Sequence, residues 1–168
     1  MNRWLRLLKH RRLDERDARR LVGDAALQRI EARVAASEAQ HSGEIRVCIE
    51  AGLPLSYVKR DATARERAVA MFAKLRVWDT EDNNGVLIYL LLAEHAIEIV
   101  ADRGLSRHAD AAHWQRVVAA MRGAFQGGQF EAGLNQAVDA VDAVLTKHFA
   151  LGAGEANPNE LPDAPYLR

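Results

Sequence analysis

Residues 85–101 read GVLIYLLLAEHAIEIVA, and this stretch decides the fold class. Nearly every position from 86 to 92 is apolar, a pattern typical of a strand covered on both faces. Glu94 and His95 separate this run from a second run, AIEIVA, at 96–101. The spacing predicts two strands joined as a tight antiparallel hairpin, with the first strand in the centre of the sheet.

A third strand is predicted upstream, where EIRVCIEA (44–51) alternates between apolar and polar residues. This period of two predicts one buried face and one face in solvent, the latter carrying Glu44, Arg46, Cys48 and Glu50. Gly52 and Pro54 end the strand, and a helical stripe from 64 to about 76 leads to the central strand. A strand, a helix and a strand in this order predict a parallel pair.

Three further helices complete the predicted elements. One spans 24–40, and two follow residue 110 with Gly127 and Gly128 between them. The order predicts an α/β fold: a three-layer α/β/α sandwich with a mixed, mainly parallel sheet and one antiparallel hairpin.

Composition limits the possible functions. The chain has 168 residues, of which 49% are hydrophobic, with 23 basic against 23 acidic residues. These values predict a single domain and argue against disorder and against a strongly basic, specific nucleic-acid binder. The single cysteine, Cys48, excludes an intrachain disulfide and a multi-cysteine zinc site. We expect a structural thiol there.

The termini differ from the predicted domain, which spans 23–150. The basic segment 1–22 has eight Lys or Arg among its first twenty residues and no uninterrupted apolar run, so it predicts no signal peptide. Trp4, Leu5 and Leu8 could enter a membrane surface while arginines bind lipid or nucleic-acid phosphates. Alternatively, Trp4 and Leu8 pack on the domain. The Pro-rich segment 151–168 predicts an extended tail, either crossing the domain or free.

Three segments carry a resemblance to a known family: SGEIRVCIEA (42–51), NNGVLIYLLLAEHAIEIVADRGL (83–105) and FQGGQFEAGLNQAVDAV (125–141). They resemble the TPM domain family, which includes thylakoid-lumen proteins described as acid phosphatases and many uncharacterised bacterial proteins. The chain looks most like a short, soluble bacterial subgroup without a leader or membrane anchor. The resemblance implies an α/β/α sandwich with strand-end loops on one side, and Asn84-Gly85 and Asp102 with Gly104 match the family's two characteristic loops.

An acidic loop precedes the central strand and predicts a cation site. Residues 79–85, DTEDNNG, supply carboxylate and amide oxygens, the ligands that Ca²⁺ and Mg²⁺ prefer. We expect Asp79 and Asp82 to bind the metal together with Asp102, if the hairpin brings Asp102 close. The alternative is a solvated turn in which Asp79 caps the turn and Asn84-Gly85 supplies a positive φ.

A ligand site beside this loop is the second prediction. Arg46 between two glutamates could bind a phosphate, with Glu44 as acid or base, although charges on an exposed edge strand would look the same. Asn84 is a candidate ligand-binding residue in the loop. Trp78 could stack on a ligand or anchor the loop to the core.

Two functions are therefore expected. The first is binding of Ca²⁺, Mg²⁺ or a small anion at strand-end loops, with weak metal-assisted phosphatase activity as its enzymatic form. The alternative is a non-enzymatic module whose basic N-terminus and C-terminal tail contact a membrane surface or a partner protein. No apolar run is long enough for a transmembrane helix. Because no leader is recognised, the expected location is the cytoplasm, with attachment at the periphery of the inner membrane as the alternative.

Overall fold

The four strands form one mixed sheet in the order β3-β2-β1-β4. The computed structural model describes residues 3–168, except for the side chain of Arg3. The strands are β1 (Ile45–Glu50), β2 (Val86–Leu91), β3 (Ala96–Ala101) and β4 (Tyr166–Leu167). β1 runs parallel to β2 and to β4, whereas β2 and β3 are antiparallel. The predicted mixed, mainly parallel sheet is confirmed.

The hairpin between β2 and β3 is also confirmed, and its turn is a short 3₁₀ helix. Leu92–Glu94 form this helix, and His95 ends it in the left-handed conformation, with φ of 49°. This geometry places Leu91 opposite Ala96 and Val86 opposite Ala101. All six residues of β2 are buried, as expected for a central strand.

Helices cover both faces of the sheet. They are α1 (Arg3–Arg11), α2 (Glu15–Val22), α3 (Asp24–Glu38), α4 (Leu55–Lys59), α5 (Ala64–Lys74), α6 (Ala111–Gln126) and α7 (Phe130–His148). Apolar residues of α3, α6 and α7 pack on the face that carries Ile45, Val47 and Ile49. Residues of α4 and α5 pack on the opposite face, which carries Cys48, Leu87 and Tyr89. The three predicted layers are present.

The prediction that one face of β1 lies in solvent is wrong, because all six β1 residues are buried. Glu50 tolerates burial because it receives two hydrogen bonds of 2.8 Å from Arg67 and one of 2.7 Å from the Tyr89 hydroxyl. A buried carboxylate is acceptable when it is paired in this way. An alternating sequence pattern does not distinguish such a face from a wet one.

The N-terminal helix packs on the domain through a face other than the predicted one. Arg6 donates hydrogen bonds to Asp61 and Glu94, and the buried His10 ring accepts from the Leu53 amide and donates to Glu94. Trp4 and Leu8 are largely exposed, and the exposed fractions of the apolar residues on the outer side of α1 are Trp4 74%, Leu5 59% and Leu8 52%. No helix in the described part of the chain is long and apolar enough to cross a membrane.

The C-terminal segment crosses the sheet instead of hanging free. Asn157 begins the contact by donating hydrogen bonds to the carbonyls of His41 and Gly43. Leu161 is buried in the core layer beneath α5, and β4 then adds to the outer edge of β1. We call residues 157–168 the strap. β1 is consequently an interior strand and not an edge strand.

Candidate functional site

Three chain segments meet at one edge of the sheet, where parallel β1 and β2 begin and antiparallel β3 ends. We call these segments, residues 41–44, 79–85 and 102–104, the loop edge. Backbone hydrogen bonds of 2.9 Å join two of them, from the Gly104 amide to the Asn83 carbonyl and from the Asp102 amide to the Gly85 carbonyl. The predicted proximity of Asp102 to the acidic loop is present.

Close backbone approach explains both glycines of the loop edge. A Cβ atom on Gly85 would lie 2.0 Å from the Val77 carbonyl oxygen, and one on Gly104 would lie 2.5 Å from the Asn83 carbonyl oxygen. The positive φ predicted for Asn84-Gly85 lies instead at Asn83, with a value of 53°. Asparagine tolerates this conformation, so glycine is required here for space.

Polar side chains of the loop edge form a short chain of hydrogen bonds. Asn84, which is almost fully buried, donates to the Ser42 hydroxyl at 3.1 Å, and Ser42 donates to Asp82 at 3.1 Å. Asn84 Oδ1, Asp102 Oδ2 and Glu44 Oε1 are buried and have no hydrogen-bond partner within the described residues. A buried, unpaired oxygen costs about 1–3 kcal/mol, so three of them at one edge indicate a place for a donor or a cation.

Asp79 lies apart from this chain of hydrogen bonds. Its carboxylate is paired with Arg76, and both side chains are largely exposed. The adjacent Trp78 is 49% exposed, whereas Val77 is fully buried and fixes the loop to the core. Half of the Trp78 surface is thus exposed, and both its anchoring of the loop and its stacking on a ligand stay predictions.

A concavity of about 330 Å³ beside the loop edge is strongly acidic. The Glu160 carboxylate reaches across to accept hydrogen bonds from the Glu81 amide. Sequence reasoning missed Glu155 and Glu160 because they lie in the C-terminal segment, and only the acidic residues between its prolines could have signalled them. The side chains that make the concavity acidic are Glu81, Asp82, Glu155 and Glu160.

The donor set at the loop edge is mixed. Between residues 3 and 168, no three His, Cys, Asp or Glu side chains are grouped so that they could hold a metal ion. The unpaired oxygens come from one amide, Asn84, and from two carboxyl groups, Asp102 and Glu44. Amide and carboxylate oxygens are ligands of the type that hard cations select, so their chemistry fits Ca²⁺ or Mg²⁺ and does not fit a thiol- or imidazole-seeking metal.

A family model decides the classification, because the model for the TPM domain matches residues 16–144. The chain belongs to the TPM domain family. The structure is similar to the NMR structure of the BA42 protein from the psychrophilic bacterium Bizionia argentinensis, with a TM-score of 0.72 and 25% identity over 86% of this chain and 93% of that chain.

A second similar structure is the solution NMR structure of the N-terminal domain of a protein from P. gingivalis, with a TM-score of 0.64 and 21% identity. That match covers 79% of this chain and 83% of the other, and at this identity it shows the fold alone. A search of curated proteins gives no match.

In this TPM domain the strap hydrogen-bonds to Arg46 and Glu44, the two β1-region residues predicted to bind an anion. Arg46 donates hydrogen bonds from Nη1 to the carbonyls of Pro162 and Ala164. Glu44 accepts a hydrogen bond of 3.0 Å from the Leu161 amide. Burial lowers the pKa of Arg46 and raises that of Glu44. The donors of Arg46 that point at the strap are thus already used.

Glu38, at the end of α3, is a buried carboxyl group that sequence reasoning missed. It is 4% exposed, and its Oε1 accepts a hydrogen bond of 2.6 Å from the Ile45 amide. Burial, with further contributions from the nearby carboxyl groups of Glu44 and Asp163, raises the pKa of Glu38 to about 9. At neutral pH the folded TPM domain therefore holds a proton on Glu38.

The thiol of Cys48 lies in the core layer beneath α5 and is not activated. It is fully buried, and this burial raises its pKa to about 12. A nucleophilic cysteine needs the opposite, a lowered pKa and access to solvent. The expectation of a structural thiol agrees with this environment.

Proposed function

We propose that the chain is a ligand-binding TPM domain whose loop edge takes up a hard divalent cation, Ca²⁺ or Mg²⁺. The observation that carries the proposal is the pair of buried, unpaired oxygens, Asn84 Oδ1 and Asp102 Oδ2, on segments joined by backbone hydrogen bonds. A cation between such oxygens would remove the cost of leaving them unpaired.

The proposed ligands are Asp82, Asn84 and Asp102. Asp82 uses Oδ2 to accept from Ser42, so its Oδ1 is left for the cation. The neighbouring acidic concavity attracts cations to the site through its summed negative charge. Asp79 is left out of the ligand set, because its carboxylate is paired with Arg76.

Phosphatase activity would depend on the same cation. A divalent cation held by Asp82, Asn84 and Asp102 would act as a Lewis acid that polarises a phosphoryl oxygen. Arg46 is not assigned to a substrate phosphate, since it holds the strap carbonyls. The proposal is therefore for cation binding first, with hydrolysis of a phosphate ester as a secondary property of the loaded site.

The test is a thermal-shift titration with CaCl₂ and with MgCl₂. A ligand that binds only the native state adds about 2.7 kcal/mol at 100 times its Kd. For a chain of this size that corresponds to a rise in Tm of roughly 5–10 °C. We expect Asp102→Asn to abolish the rise and Asp79→Asn, in the same acidic loop, to retain it.

Two results would contradict the proposal. One is an unchanged Tm with either cation at about 10 mM, well above the Kd of weak protein sites. The other is an equal rise in Tm for the two variants. Hydrolysis of p-nitrophenyl phosphate by the same variants, with and without EDTA, then tests the phosphatase step separately.

A second function, attachment to an anionic membrane surface, is favoured by the orientation of α1. The helix docks through Arg6 and His10, and this docking directs Leu5 and Leu8 into solvent. Lys9, Arg11 and Arg12 are exposed on or next to the same helix. Exposed apolar residues beside cationic residues are the pattern of an interfacial helix.

Co-sedimentation with vesicles tests the membrane proposal. We expect the protein to sediment with vesicles rich in phosphatidylserine and much less with phosphatidylcholine vesicles. Leu5→Ser with Leu8→Ser should abolish sedimentation, whereas Leu21→Ser, a change of an exposed leucine in α2, should not. Equal recovery of the two variants would rule the proposal out.

A further inference from the structure

A groove of about 510 Å³ lies along β3, at the edge of the sheet. α5 forms one wall and α6 the other, because both helices contact β3. No loop-edge residue lines this groove. Its volume lies within the range of pockets that bind small molecules. The lining residues used below are Arg65, Glu98, Ile99, Trp114, Val118 and Arg122.

The α6 wall presents an apolar surface with a polar donor. Trp114, Val118 and Arg122 are spaced by four residues, so they lie on one face of the helix. Trp114 is 6% exposed, and its indole Nε1 is buried with no hydrogen-bond partner within the described residues. An indole N–H can only donate, and a buried one usually has an acceptor. An acceptor is therefore missing beside the groove.

Positively charged side chains outnumber negatively charged ones in the groove. Arg65 donates to the Ile99 carbonyl and lies 3.6 Å from Glu98, so this guanidinium is held by the edge strand. Arg122 makes no hydrogen bond or ion pair within residues 3–168. Two guanidinium groups thus face one carboxyl group, and Arg122 has its donors available.

Burial raises the pKa of Glu98, and the two arginines oppose this rise. The geometry of the lining residues, with two guanidinium groups against one carboxyl group, favours an anion as the occupant.

We propose that the groove binds a small organic anion, a carboxylate or phosphate group attached to a flat apolar body. Arg122 binds the anionic group, and the apolar body packs against Trp114 and Val118. A polar atom of the ligand accepts the indole N–H. This site is separate from the proposed cation site, so either can fail without the other.

The test uses the indole N–H resonances of the full chain in ¹H–¹⁵N NMR spectra. The chain has three tryptophans, and Trp114→Phe identifies the resonance of Trp114. The probes are benzoate and phenylphosphonate for the two kinds of anion, with benzyl alcohol as the uncharged control and inorganic phosphate as the control without a ring. We expect a saturable shift of the Trp114 resonance with at least one aromatic anion, and weaker binding of both controls.

Matched variants locate the anion. Arg122→Gln should weaken binding roughly tenfold or more, because a charge-assisted hydrogen bond is lost. Arg116→Gln, an exposed arginine on the same helix outside the groove, should leave binding unchanged. The proposal is overturned if neither aromatic anion gives a saturable shift, if the two variants bind equally, or if benzyl alcohol binds as tightly as the anions.

Discussion

Glu38 should make the protein less stable as the pH rises from 6 to 8, and Glu38→Gln should remove this loss. The Glu38 carboxyl group is buried and has a pKa of about 9 in the folded chain, against an ordinary value of 4.5. Glutamine can keep the hydrogen bond from the Ile45 amide, since it retains a carbonyl oxygen at the position of Glu38 Oε1. The substitution therefore removes the titration with little change in shape.

The expected magnitude follows from proton linkage. Between pH 4.5 and 9 the folded chain holds a proton on Glu38 that the unfolded chain has released. The folded state binds one more proton, so the free energy of unfolding falls by about 1.4 kcal/mol for each pH unit. The stabilising effect of this proton is complete below pH 4.5 and is lost as the pH approaches 9. From pH 6 to 8 the loss is about 3 kcal/mol.

Urea denaturation at pH 6, 7 and 8 measures the effect, with Glu31→Gln as the control. Glu31 is exposed on the same helix, so this control makes the same Glu-to-Gln change without removing a buried group. Subtracting one protein's profile from another's cancels every other titrating group. We expect wild type and Glu31→Gln to lose stability in parallel, and Glu38→Gln to lose about 3 kcal/mol less. Parallel profiles for all three proteins would refute the reasoning.

Two further predictions concern the layer beneath α5. Arg67→Met should lower the free energy of unfolding by about 3–5 kcal/mol, because it leaves the Glu50 carboxylate buried without its partner, and Glu50→Gln added to it should recover part of this loss. An equal loss in the single and double variants, measured by urea denaturation, would contradict this. Cys48 should not react with a thiol reagent in native protein at pH 8 and should react fully in guanidinium, so fast native labelling would contradict its burial.

Most helices and strands of the main domain were predictable because each has a strong local pattern of apolar residues, whereas the short α4 was not predicted. The apolar run at 86–92 left no position for a solvent-facing side chain, and the structure places it in the sheet interior. Local periodicity failed at β1. The alternating charged residues predicted a face in solvent. Partners far along the chain, including Arg67 and the strap, bury these residues instead. No period within β1 contains that information.

At the loop edge, too, part of the structure could be predicted from the sequence and part could not. Its acidic loop and its proximity to Asp102 follow from the hairpin and could be predicted from the sequence. The different environments of Asp79 and Asp102 could not be predicted from the sequence. Asp79 is paired with Arg76, whereas Asp102 has a buried oxygen without a partner within the described residues, and neither fact follows from residue type. Residue type indicates which ligands a site prefers, whereas burial and ion pairing decide which residues are available to bind a ligand.

The strap explains part of the failure at β1 and also shapes the loop edge. Asn157 fixes the segment before β1, and Leu161 hydrogen-bonds to Glu44, the residue just before that strand. Glu160, between them, accepts from the Glu81 amide of the acidic loop. One extended segment without a core of its own thus joins two parts of the loop edge and also hides the charges of β1. Because each of these contacts pairs a side chain with a backbone group far along the chain, no local side-chain pattern predicts them, and a sequence that shows only a Pro-rich tail still builds part of the site.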